Sequence, residues 1–419
     1  VEKLRRFAKT LGPGILFAST AIGVSHLVQS TRAGALYGFG LIWAILLANI
    51  LKYPFFEFGS RYASSTGESL IEGYAKLGKT MIVLFACITF GTLFFVVAAI
   101  GAVTSGFLDN LFGLNALLGA DSYLITTAVL FVSCILILAI GQFKILDGLI
   151  KIIGLVLLVT TISAFTISLI NGPSSATVAN SLIPVWDNSP KGFLFLIALM
   201  GWMPTAVDMS TWNSIWTLER IKSSGYKPSL KETLKEFRIG YFISAILAFL
   251  FLGLGTYLMY GTGKTMPDKS HLFANEVVQL YTKNIGNWSY LIIASAAFSI
   301  MFGTCIAVFD GYSRSSSRIL NSLFPKSNWE AKSTTIILLV IIGIGSFSIS
   351  TLFQSKLKDL VDLATSISFA VAPIIAFANY KLVTGKHIPE KDKPNRSMKI
   401  LSWVGLIYLI VFSVAYLLI

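Results

Sequence analysis

Apolar residues in this chain run in long uninterrupted stretches separated by short polar and basic segments, with no strand-like alternation. A helix needs about 20 apolar residues to cross the ~30 Å hydrocarbon core of a bilayer. Windows at 12–36, 40–62, 80–108, 122–140, 146–170, 192–216, 239–261, 286–311, 333–350, 360–382 and 399–419 approach or exceed that length. The pattern predicts an all-α polytopic membrane protein with eleven spans.

Two of these spans are interrupted. The first carries Gly23-Val24-Ser25-His26 at mid-depth, and the sixth carries Gly201, Pro204 and the ionisable Asp208. Every backbone donor and acceptor in lipid must be paired, so irregular backbone at that depth faces protein or a cavity. Breaks at matching positions of two halves predict an inverted repeat with a substrate site near the midplane. The expected layout is a cytoplasmic N-terminus at 1–11, a first repeat at 12–170 and an extracellular loop at 171–191. A second repeat follows at 192–382, then a loop and an eleventh helix at 383–419.

Composition agrees: 55% of residues are hydrophobic and 13% charged, with a mean hydropathy of +0.75, which no ordinary soluble domain shows. The net charge of +13 comes from basic residues concentrated in alternate connecting segments, such as Arg220 to Arg238 and Lys381 to Lys399. The positive-inside bias predicts a protein of the cytoplasmic (inner) membrane with its N-terminus inside and its C-terminus outside. The lipid bilayer accounts for the charge, and no nucleic-acid partner is expected. The basic start runs directly into a full-length span, unlike a cleavable leader. Cys87, Cys134 and Cys305 lie inside spans without paired spacing, so neither a disulfide framework nor a thiolate metal site is expected, and no cofactor is implied. The chain lacks a His-Glu-x-x-His helix, a pair of aspartates in one span and a Gly-x-Ser-x-Gly elbow, which argues against an enzyme.

Four stretches resemble the Nramp family of divalent-metal transporters: Gly12-Pro13-Gly14, Ala33-Gly34-Ala35-Leu36-Tyr37-Gly38-Phe39, Gly141-Gln142-Phe143-Lys144-Ile145-Leu146-Asp147 and Phe237-Arg238-Ile239. The resemblance implies a LeuT-like fold: a 5+5 inverted repeat with discontinuous helices 1 and 6, plus an eleventh helix. The departures are informative. Where the family carries Asp-Pro-Gly-Asn, whose Asp and Asn ligate the metal, this chain reads Gly23-Val24-Ser25-His26. The family's Ala-x-x-Met-Pro-His pattern fits the sixth span in two registers, one placing Trp202 and Thr205 at the Ala and Met positions, the other Met200 and Met203. Acidic positions of the third span align with Phe95 and Ala98, and the ninth span has no arginine. Proton coupling of the family's usual kind is therefore not expected.

What remains suits a small anion. Half-helix N-termini and the hydroxyls of Ser19, Thr20, Ser25 and Thr205 are donors, as is His26. Some Nramp-like proteins without the metal ligands are thought to carry bicarbonate, and this chain is similar to them. The expected activity is transport of a small anion, bicarbonate, by alternating access. The alternative is a divalent metal (Mn²⁺, Fe²⁺ or Mg²⁺), and a passive channel or sensor on the same scaffold is a third option. Candidate substrate-binding residues are Ser19, Thr20, Gly23, Ser25, His26, Trp202, Met203, Thr205 and Asp208, with no metal ligands assigned. Ser295, Ser299 and Thr304 offer hydroxyl oxygens for a coupled Na⁺. Structural readings stand beside these: His26 bonded to a neighbouring carbonyl, Gly23 as a packing residue, Trp202 and Met203 as core, Asp208 with a structural partner. Lys52 is expected to pair with Glu57 or with neighbouring spans, Asp310 with Arg314, and Lys231 to Arg238 to form a solvated helix.

Overall fold

The computed structural model describes residues 10, 12–119, 122–180, 187, 189–329 and 331–418, with the backbone alone described at 141–154, 156–157, 179–180 and 284–285. All regular structure among these residues is helical. In chain order the helices are α1 (Pro13–Ala21), α2 (Thr31–Tyr37), α3 (Ile42–Thr66), α4 (Leu70–Leu77), α5 (Lys79–Phe112), α6 (Leu114–Leu118), α7 (Ser122–Asn171) and α8 (Pro190–Gly201). They continue with α9 (Met209–Ser224), α10 (Leu230–Met259), α11 (Ser270–Ile285), α12 (Tyr290–Leu323), α13 (Lys332–Leu352), α14 (Leu357–Thr384) and α15 (Arg396–Leu417). Eight helices among the described residues are long and apolar enough to cross a membrane. The two interrupted spans, α1/α2 and α8/α9, are short because each is cut in two.

The two breaks differ in kind. In the first span the chain turns at Ile22–Gly23 and passes through a π-helical stretch, Ser25–Ser30, before α2. Hydrogen bonding continues through it: Ile22 N–H reaches the Ala18 carbonyl at 2.9 Å and Leu27 N–H the Gly23 carbonyl at 3.1 Å. In the sixth span residues 202–208 leave the helix altogether. Proline accounts for the difference, since Pro204 has no N–H to continue the ladder, while Gly23 only loosens it. The N–H groups expected to lie free at the second half-helices are engaged. Met209, Ser210 and Thr211 donate to the Ala206, Val207 and Asp208 carbonyls at 3.2, 3.0 and 2.9 Å.

The fourth and fifth spans, expected as separate helices joined at 141–147, form one helical run, α7. No proline interrupts it, and the glycines at its centre do not break it. Its two ends pack on different partners: Phe131 fills the space over Gly101 of α5, and Phe165 the space over Gly253 of α10.

The half-helices are held by close backbone contact and by buried charge. A Cβ on Gly34 would lie 2.1 Å from the Leu252 carbonyl oxygen, and one on Gly255 would lie 2.2 Å from that of Thr31. Only glycine lets α2 and α10 approach this closely. At the start of α1, Glu236 of α10 accepts the N–H groups of Gly12 (2.9 Å) and Gly14 (2.8 and 2.9 Å). Glu236 therefore departs from the solvated helix expected for 231–238: it is 3% exposed and neutralises the positive end of α1.

Candidate substrate site

A small cavity lies between the breaks. Its wall comes from the first span (Thr20, Val24, Ser25), from the sixth (Trp202, Thr205, Ala206, Asp208, Met209, Trp212), from α5 (Val96, Ile100) and from α12 (Thr304, Val308, Tyr312). Its volume is about 20 Å3, room for one water-sized group. Two larger cavities share none of its lining: one of about 550 Å3 beside Arg32 and Asp362, the other of about 270 Å3 beside Asp310 and Arg314.

Six expected residues contribute to this wall: Thr20, Ser25, Trp202, Thr205, Asp208 and Thr304. Ser19, Gly23, His26 and Met203 do not line it. His26 is fully buried and faces α10, with Nε2 2.9 Å from the Ser244 carbonyl oxygen. A carbonyl can only accept, so Nε2 carries a proton, and Nδ1 lies 2.6 Å from the Ser25 hydroxyl. Two carbonyls, of Ala21 and of Pro204, also face that hydroxyl. Gly23 is a packing position, since a Cβ there would meet Thr304 Cγ2 at 2.7 Å and Oγ1 at 2.8 Å.

The sodium trio does not converge. Thr304 is buried and donates to the Ser19 carbonyl at 3.1 Å, whereas Ser295 is exposed. Nine residues at 3.6 per turn put Ser295 on the opposite side of α12 from Thr304.

The cavity's donors are loosely engaged. Thr205 Oγ1 donates to the Met209 thioether at 2.6 Å, a weak acceptor. Tyr312 Oη donates to Asp208 Oδ2 at 3.5 Å. The Trp202 indole N–H is buried and has no partner. Trp202 and Thr205 line the cavity, whereas Met200 and Met203 do not. The thioether at the site is Met209, which no motif marked. Phe95 and Ala98 are also outside the lining, and α5 offers only Val96 and Ile100. Among the described residues no three His, Cys, Asp or Glu side chains cluster as a metal site.

Lys52 of α3 was expected to pair with Glu57 or a neighbouring span. It takes the second alternative, a neighbouring span: its Nζ donates to the carbonyls of Met200 (3.1 Å), Gly201 (2.9 Å) and Thr205 (2.8 Å) of the sixth span. Glu57 pairs with Arg61, one turn along α3, at 2.6 and 2.9 Å. Lysine at i and glutamate at i+5 point to different sides of a helix, whereas i and i+4 share one. Lys52 is fully buried and sits at the negative end of α8.

Ion pairs lie beyond the cavity in both directions. Arg32 of α2 holds Asp362 of α14 through two bonds, of 2.7 and 3.0 Å, and its guanidinium stacks 5.0 Å over Phe195 of α8. On the other side Asp310 pairs with Arg314 as expected, at 2.7 Å, and also accepts from Trp216 Nε1 at 3.2 Å.

The family model described as natural resistance-associated macrophage protein-like matches residues 14–419. The chain belongs to the Nramp family. An uncharacterized protein of Pasteurella multocida is 34% identical over 410 residues, 97% of this chain and 91% of that one. A divalent metal cation transporter of Verminephrobacter eiseniae, MntH, is 32% identical over 76 residues, 17% of each chain. Among solved structures, a mutant of the Eremococcus coleocola manganese transporter superposes with a TM-score of 0.70 at 16% identity, covering 97% of this chain and 85% of that one. This Nramp protein is thus a multi-pass membrane protein with the LeuT-like fold, in a family of transporters.

Proposed function

We propose that this Nramp protein transports a small oxyanion, bicarbonate, by alternating access across the cytoplasmic membrane. The observation that carries the reading is the Trp202 indole N–H, a buried donor with no acceptor, on a residue that lines the cavity. A buried unpaired donor calls for an unseen partner, and a site built for a cation would leave acceptors unpaired instead. The Thr205 and Tyr312 hydroxyls, held by weak or long bonds, can turn to the same guest. A planar oxyanion accepts from all three. Ser25, His26 and Asp208 then shape and position the site.

In this reading the ion pairs at Arg32–Asp362 and Asp310–Arg314 close the outer and inner routes. The cavity of about 20 Å3 is smaller than a bicarbonate and corresponds to the empty site, which widens around the guest when one pair opens. With only apolar residues from α5 at the site, no proton relay passes along the third span.

A second reading, transport of a divalent metal, is favoured by the names of the Eremococcus and Verminephrobacter relatives and by the adjacent Asp208 and Met209 in the wall. One carboxylate and one thioether are a sparse set for a divalent ion that takes about six ligands. Mn²⁺ titration of the purified protein separates the readings. The anion reading expects no binding at micromolar concentration, and saturable micromolar binding together with uptake into proteoliposomes would replace it with the metal.

A further inference from the structure

We propose that Lys52 is the residue that fixes the sign of the charge the site accepts, acting as a tethered cation in the place where a transported cation would bind. Its Nζ is held by three carbonyls, those of Met200, Gly201 and Thr205, at 2.8 to 3.1 Å. An ammonium has three donors and no acceptor, whereas a neutral amine has two donors and a lone pair that would face a carbonyl. Three carbonyl partners therefore match the charged form.

These carbonyls belong to the break itself. Met200 and Gly201 end α8, where the dipole is negative; the Met200 carbonyl also accepts the Met203 N–H at 3.3 Å. Thr205 sits across the break on the cavity wall. Converging carbonyls at a half-helix end are the usual means of holding a cation at mid-membrane, and here each of the three is occupied by a side chain of the protein. Asp208, three residues beyond Thr205, is the carboxylate on the same cavity wall. With Lys52 in place the break is already neutral, so a cation arriving at the cavity finds its oxygens taken and a like charge behind them. An anion meets no such obstacle.

The consequence for bicarbonate rests on the proposed function, but the claim about the carbonyls does not, and the experiment keeps the two apart. Wild type, Lys52→Met, Lys52→Gln and Lys52→Arg are purified and titrated calorimetrically with Mn²⁺ and with Na⁺, with elution profile and thermal unfolding as checks on folding. Lys52→Gln removes the charge and, with two N–H donors for three carbonyls, leaves at least one oxygen free, so it serves if Lys52→Met does not fold. The expected result is cation binding by the neutral variants at least about tenfold tighter than by wild type, equivalent to ~1.4 kcal/mol, and none gained by Lys52→Arg. A folded Lys52→Gln that binds neither ion better than wild type overturns the inference. Bicarbonate flux by wild type, measured in parallel, decides the anion reading separately. If that flux is absent while Lys52→Gln gains a cation, the reading fails and the role of Lys52 stands.

Discussion

Thr205 Oγ1 lies 2.6 Å from Met209 Sδ, one turn further on, so that hydroxyl and thioether meet on the wall of the central cavity. A soft metal would use the sulfur, and an oxyanion would use the hydroxyl hydrogen. Met209→Leu, a nearly volume-conserving change costing less than about 1.5 kcal/mol in stability, is expected to preserve bicarbonate transport. Thr205→Val should weaken it by roughly 0.5–1.5 kcal/mol through the lost donor. Flux assays on the two variants check this, and the reverse order of effects would favour the metal.

The Arg32–Asp362 pair predicts how one side opens. Its two parallel bonds join α2 to α14, and charge-assisted bonds of this kind contribute about 1.5–3 kcal/mol. Asp362→Asn should therefore raise the open population on that side by roughly ten- to a hundredfold. The measurement is the labelling rate of Thr205→Cys by an impermeant thiol reagent, with Cys87, Cys134 and Cys305 replaced by serine. An unchanged rate would mean that this pair does not govern access.

Glu236 is a latch on α1. Losing a carboxylate that accepts from Gly12 and Gly14 should destabilise Glu236→Ala by roughly 1.5–3 kcal/mol. Glu236→Gln, which keeps an acceptor, should lose less. Thermal unfolding in detergent ranks them.

Gly23 and Thr304 should behave as a coupled pair. A methyl at Gly23 lands 2.7 Å from Thr304 Cγ2, an overpacking expected to cost Gly23→Ala about 1–3 kcal/mol. Thr304→Ala removes the obstructing atoms, so the double variant should be more stable than the sum of the two single changes. A double-mutant cycle by thermal unfolding reads the coupling, and additivity would show that the helices simply part.

The architecture was legible because it rests on apolar length and on helix breakers, both visible in one dimension. Pro204 and Gly201 mark a break wherever they fall in an apolar span, and the motif stretches Gly12–Gly14 and Phe237–Ile239 meet in space through Glu236. Five wall residues were legible for the same reason, being groups with polar atoms near the breaks, and Thr304 as a hydroxyl expected for a sodium ion. The partners of Lys52 were not, because they are backbone carbonyls 148 to 153 positions away, and a carbonyl has no sequence signature. Met209, Trp212 and Tyr312 read as ordinary core. For His26 the structural alternative is the one seen: its ring lies in the π-helical stretch and bonds the Ser244 carbonyl. Ser295 failed on angle alone, half a turn from the face that Thr304 presents.

The central claim is that the cavity at Trp202 receives an anion, and bicarbonate flux into proteoliposomes tests it most directly. An internal pH dye separates the carriers: entering bicarbonate takes up a proton and raises the internal pH, whereas leaking CO₂ lowers it, with carbonic anhydrase inside to speed equilibration. The account predicts saturable alkalinisation by wild type and a loss of roughly 1–3 kcal/mol in apparent affinity for Trp202→Phe, which removes the unpaired N–H and keeps the ring. Wild-type vesicles that alkalinise no faster than empty liposomes while taking up micromolar Mn²⁺ would contradict it.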